Sequence, residues 1–152
     1  MLSHVRQYSF DDLERHHDYI QWLFPLREPS GANASAPLLS ADDTAAFESD
    51  ESLRKALLQS FRLMVRFYGL DLWEGRPEIK IVRGKHFSER RHVWLTRGNH
   101  NFLRISRILR SLTLLGLGSY ALAFLKCLEA IYADEASTIG DTTIEYWRRS
   151  VR

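Results

Sequence analysis

The chain holds 152 residues, 45% of them hydrophobic and 26% charged, enough for one domain with a real core and unlike a disordered or fibrous protein. A formal net charge of +2 is too small for a general nucleic-acid binder, and a single cysteine, Cys127, excludes an intrachain disulfide and fits a reducing compartment. The longest uncharged run, Ser111 to Leu125, is shorter than the roughly 20 residues a spanning helix needs and is broken by Gly116 and Gly118. With charges throughout its start and no apolar signal segment, the sequence predicts a cytoplasmic protein without a transmembrane segment, or a nuclear one in a eukaryote.

Taken in chain order, the predicted elements are helical. Ser9 and Asp12 have capping-box spacing, and a first helix is expected from about Phe10 to Phe24, stopped by Pro25. "LREPSGANASAPLLS" then reads as a long structured connector. Ser40 with Asp42 and Asp43 starts a short second helix. Asp50 or Ser49 caps a longer third, whose inward face is Leu53, Leu57, Phe61, Met64, Val65 and Tyr68, and Gly69 ends it.

"PEIKIVRGK" alternates over a few positions and reads as a short extended edge with no partner strand. His86 to Thr96 is expected to form a further helix. Asn99 or Asn101 caps the next, with Phe102, Ile105, Leu109, Leu112 and Leu115 inward and Gly116 closing it. Ser119 opens a helix with the stripe Ala121, Phe124, Leu125, Leu128, Ile131 and Tyr132. Thr142 and Glu145 suggest a second capping box leading into Ile144, Trp147 and Val151, with Arg148, Arg149 and Arg152 at the helix's negative end. With so little strand signal, the fold class is all-α: one domain over 1–152, a compact orthogonal or irregular helical bundle of six to seven helices.

Two stretches go beyond generic helix chemistry. "DLERHHDYIQWLFPLREPSG" (Asp12 to Gly31) and "HNFLRISRILRSLTLLGLG" (His100 to Gly118) resemble the conserved N-terminal region of the opioid growth factor receptor family. "RFYGLDL" (Arg66 to Leu72) and "IEYWRRSVR" (Ile144 to Arg152) fit it more loosely and in the same order. The resemblance implies a non-classical receptor for an enkephalin-type peptide that restrains growth, acting inside the cell in association with the nucleus and unrelated to seven-helix membrane receptors. The long C-terminal extension of the animal receptors, with its peptide repeats and basic targeting segments, has no counterpart in these residues. No binding residue is implied by the resemblance.

Candidate site residues come from side-chain chemistry. On a first helix with Leu13, Ile20, Leu23 and Phe24 inward, His16 and His17 lie on or beside the buried face, and Tyr19 and Trp22 share an adjacent edge. Either an imidazole is buried, neutral and hydrogen-bonded, or His17, Tyr19 and Trp22 line a pocket with apolar walls and polar tips. A second cluster is Asn99, His100 and Asn101 followed by Arg104 and Arg107, within a stretch from Arg83 to Arg110 that is rich in bases and holds one acid, Glu89. Arg104, Arg107 and Ser111 form a ladder on the helix face opposite the apolar stripe: a solvated face, pairing with Asp42, Asp43, Glu48 and Glu51, or a clamp for a carboxylate, phosphate or acidic protein partner.

Glu14 with His17 and Glu89 with His92 have E-x-x-H spacing, but a di-metal bundle needs further inward carboxylates, for which Glu129 is the one central candidate; no metal site and no cofactor is expected. Phosphate-loop, nucleophile-elbow and H-E-x-x-H motifs are missing, and Cys127 reads as a small core residue. The function predicted is binding of a peptide or small molecule by His16, His17, Tyr19, Trp22, His100, Asn101, Arg104 and Arg107. An enzyme using a histidine or carboxylate in the same seam, and an interaction module docking an acidic partner, remain the alternatives.

Overall fold

The computed structural model describes residues 5, 7–16, 19–30, 35–75 and 77–152. Ser9 starts helix α1 (Phe10–Arg15) with the expected capping box: the Asp12 N–H donates to the Ser9 hydroxyl at 3.2 Å and the Ser9 N–H to the Asp12 carboxylate at 3.1 Å. The continuous helix to Phe24 does not form. His16 is extended (φ −87°, ψ 129°), and α2 (Ile20–Leu23) is a separate turn. Histidine and tyrosine are poor helix formers, so ending α1 at His16 and starting α2 after Tyr19 costs little locally. The Leu13 and His16 carbonyls beside the break are both taken up by side chains.

Across the connector, Leu39 N–H returns to the Leu26 carbonyl at 2.9 Å. Ser40 and Asp43 make a second capping box at α3 (Ala41–Ser49), and the Asp50 side chain caps α4 (Glu51–Phe67) by accepting from Ser52 N–H at 2.8 Å. At the end of α4, Gly69 adopts φ 78° and its carbonyl accepts from Gly84 N–H at 2.9 Å. That bond begins an antiparallel ladder of β1 (Leu70–Trp73) and β2 (Lys80–Arg83), with Leu70 opposite Arg83 and Trp73 opposite Lys80. The expectation of an unpartnered strand is therefore wrong: "LDLW" is the partner, too short for its alternation to register in the sequence.

Helix α5 (Phe87–Trp94) follows, then α6 (Asn101–Leu114), where Asn99 is the cap: its Oδ1 accepts from Asn101 N–H at 2.9 Å. Helix α7 (Gly118–Ile139) and α8 (Asp141–Ser150) complete the chain. The Thr142–Glu145 capping box is not made. Gly140, at φ 85°, starts α8 two residues earlier, which puts Thr142 inside the helix, and Glu145 faces Arg149 at 3.4 Å instead. Eight helices are present among the described residues, one more than the upper expectation because the first is split.

Helices α6, α7 and α8 pack on one another. Trp147 is fully buried against Phe102, ring centroids 5.6 Å apart, and its indole N–H donates to the Phe102 carbonyl at 3.0 Å. Trp94 likewise donates to the Tyr68 carbonyl at 3.0 Å, tying α5 to the end of α4. Both indoles thus bury a large apolar surface without stranding their polar atom.

Gly69 is the tightest point of this frame, since a Cβ there would lie 2.8 Å from the Phe87 Cα in a backbone conformation that L side chains avoid. Gly69→Ala should lose about 3 kcal/mol of stability, combining left-handed strain with overpacking. Gly98→Ala, at φ 66° with open space around it, should lose only about 1 kcal/mol. Urea denaturation of the two variants checks the difference.

Candidate functional site

Helix α6 has two buried faces. Ile105, Ile108, Leu109 and Leu112 enter the core, as their spacing predicts. The opposite face is not the solvated ladder that the sequence suggested: Arg104 is 5% exposed, Ser111 is fully buried and Arg107 is half-buried. Residues 13–16 and 19–25 cross this face, and the side chains of α6 hold their main chain. The Arg104 guanidinium donates to the carbonyls of Leu13 at 3.1 Å and His16 at 2.9 Å, and to Asn101 Oδ1 at 3.2 Å. Arg107 Nε donates to the Phe24 carbonyl at 2.8 Å, and the Ser111 hydroxyl to the Pro25 carbonyl at 2.9 Å. Pairing with the acids of α3 and α4 is not what these arginines do.

A buried guanidinium is tolerated only where its donors are met. Burial pulls the pKa of Arg107 down, with Glu28 opposing. Tyr19, 1% exposed, lies under Arg104, whose guanidinium carbon is 5.3 Å from the ring centroid, and its hydroxyl donates to the Leu13 carbonyl at 2.8 Å. Burial pushes the Tyr19 phenol up to about 12, against a lowering by Arg104.

At the start of α6 a carboxylate enters the seam. Glu14 Oε2 accepts from Asn101 Nδ2 at 3.3 Å and lies 3.9 Å from Arg104 Nη1, and Glu14 Oε1 is 3.2 Å from His100 Nε2. Asn101 is fully buried, while the His100 and Glu14 side chains are 43% and 32% exposed, so the cluster opens to the surface on one side.

Tyr19, His100, Asn101, Arg104 and Arg107 are thus brought into one seam. His16 contributes its carbonyl, but its imidazole is exposed and lies by Tyr8, ring centroids 5.3 Å apart, not on the buried face. Trp22 is half-buried, and His17 lies outside the described residues.

Sequence reasoning missed Tyr68 and Arg90 and gave Glu14 only a metal-binding role. Tyr68 is fully buried with no hydrogen-bond partner for its hydroxyl, and its phenol is held well above the usual range by burial, with Arg104 and Glu14 also acting on it. Arg90 is sandwiched between the rings of Phe10 and Phe67, 4.6 and 4.8 Å from their centroids, and its Nη2 is buried without a partner. The alternation of bases and aromatics was the available signal, but which base faces which ring is set by helix packing.

Among the described residues no three His, Cys, Asp or Glu side chains are placed to hold a metal ion. Cys127 is buried, and burial raises its thiol to about 11, which keeps it protonated near neutral pH. Open grooves lie elsewhere: one of about 330 Å³ beside β1, lined in part by Arg62, Arg66 and Trp73, and one of about 550 Å³ between the β1–β2 loop and α7, lined in part by Pro77, Ile79, Leu122 and Leu125. The seam is chemically a set of hydrogen-bond donors suited to carbonyl and carboxylate oxygen.

The family described as opioid growth factor receptor (OGFr) conserved region matches residues 2–152. The opioid growth factor receptor of Mus musculus is 38% identical over 95% of this chain and 23% of its own length, and that of Homo sapiens is 35% identical over 95% and 21%. Opioid growth factor receptor-like protein 1 of Mus musculus is 33% identical over 95% of this chain and 31% of its own length. The chain therefore spans about a third or less of the curated relatives it matches. No solved structure matches.

Arg104→Leu removes the donor of the His16 carbonyl and one of the two donors of the Leu13 carbonyl and should cost about 3 kcal/mol. Hydrogen exchange should accelerate across residues 10–25 before it does in α7, and equal acceleration everywhere would contradict a local clamp. Tyr19 carries a pH signature as well. Its pKa is raised from 10.0 to about 12 in the folded protein, so its contribution is complete below pH 10 and is lost as the pH rises towards 12. Tyr19→Phe should therefore flatten the fall of urea stability over that window.

Proposed function

The chain belongs to the opioid growth factor receptor conserved-region family, and on that premise we propose that it binds a peptide or small molecule at the seam between residues 13–25 and α6. The observation that carries this reading is the partly exposed end of the seam, where His100 faces Glu14 at 3.2 Å beside a row of α6 donors, Asn101, Arg104, Arg107 and Ser111, three of which hold main-chain oxygens of the crossing segment. Such a row recognises backbone rather than side-chain identity, which favours a peptide among the ligand classes. His100 and Glu14, partly exposed at one end, are the point of access. Relatives carry the word receptor in their names, which agrees with binding in place of catalysis. A cytoplasmic setting belongs to the same reading and is supported by the lone buried thiol of Cys127.

Titration with a panel of short peptides and metabolites, comparing the wild type with His100→Ala and Arg104→Ala, tests the proposal. His100→Ala should keep its melting temperature and weaken binding about tenfold, as loss of one charge-assisted contact does. Unchanged binding in both variants, or no binding by any member of the panel, would remove the seam from consideration.

A further inference from the structure

Resting on the reading of the seam as the ligand site, we propose that His100, Asn101 and Arg104 form a carboxylate-recognition site whose resident occupant is Glu14, and that the ligand carries a free carboxylate that displaces it. Two features support this assignment. The donors converge from one helix turn: Asn101 and Arg104 are more than nine-tenths buried and their polar atoms are fixed by Asn99 and by the Leu13 and His16 carbonyls, so the cradle keeps its shape. Glu14 is held loosely in it. Its contacts to His100 and Asn101, at 3.2 and 3.3 Å, are long for charge-assisted bonds, which run at about 2.7–2.9 Å, and Arg104 Nη1, bonded to the Leu13 carbonyl and Asn101, stays 3.9 Å away.

A carboxylate that is not tethered to α1 can sit deeper and shorten the contacts that Glu14 leaves long. A phosphate is a poorer fit, because the cradle offers one fork and one amide rather than a ring of donors.

Chemical rescue tests the cradle directly. In Glu14→Gly, sodium acetate should give a saturable rise in melting temperature of about 2–4 °C that acetamide and sodium chloride do not, and the wild type should not respond. An equal response to all three additives, or to acetate in both proteins, overturns the proposal. Should Glu14→Gly not fold, Glu14→Gln, of the same size, carries the test: it should bind short peptide acids about tenfold more tightly than the wild type does, and acids about tenfold more tightly than the matching amides. Peptides that bind without regard to Glu14 or to their terminal carboxylate would overturn this inference and leave the seam reading standing. Acetate rescue with no peptide binding would keep the carboxylate site and remove the peptide.

Discussion

Irregular backbone cannot be buried unless something meets its carbonyls, and in this fold most of the side-chain donors come from a single helix. Arg104 is the centre of that arrangement, holding Leu13 and His16 while Asn101 fixes its fork from the preceding turn. Each charge-assisted bond contributes about 1.5–3 kcal/mol net, enough together to offset the several kcal/mol of burying a guanidinium. The balance is all or nothing. Without the carbonyls Arg104 is a stranded cation, and without Arg104 the break at His16 exposes unsatisfied main chain.

That mutual dependence makes α6 central by both of its faces. The apolar face reaches α7 and α8 through ordinary packing, in which Phe102 meets Trp147. On the polar face sits the N-terminal segment, whose own helices are too short to hold themselves: α1 spans Phe10–Arg15 and α2 Ile20–Leu23. Order in that segment is therefore borrowed from α6 and from the aromatic contacts of Tyr19. A seam built this way is stable while its partners are in place and responsive when one is exchanged, which is the physical requirement for a recognition site close to a fold element.

Much of the frame was legible in the sequence because it depends on local chemistry. The capping boxes at Ser9 and Ser40, the inward faces of α4 and α6 and the end of α4 at Gly69 follow from spacing alone. What failed depends on distant partners. The helix break at His16 is favoured by Arg104, 88 positions away. The same distance hid the burial of the basic ladder: a row of arginines opposite an apolar stripe reads as solvent-facing until a second segment is known to cross it. Thr142 misled for a local reason, since Gly140 starts the helix before the expected cap is reached. Of the site, the identities of Tyr19, His100, Asn101, Arg104 and Arg107 were readable, but their acceptors were not, because those are mostly carbonyls and carry no sequence signature.

The same geometry argues about chemistry. Catalysis needs a group that changes protonation or attacks, placed where a substrate can reach it. Here the buried phenols are pushed upward and Cys127 is held as a thiol, so burial works against their ionised forms. Arg104 is occupied in holding carbonyls, a static role that stabilises a ground state and not a developing charge. The accessible end of the seam pairs an imidazole with a carboxylate at 3.2 Å. An arrangement of fixed donors around oxygen, open on one side, does best what hydrogen bonds alone can do. On the proposed reading it would select a shape and a charge, with the cost of entry set by how tightly Glu14 is already held.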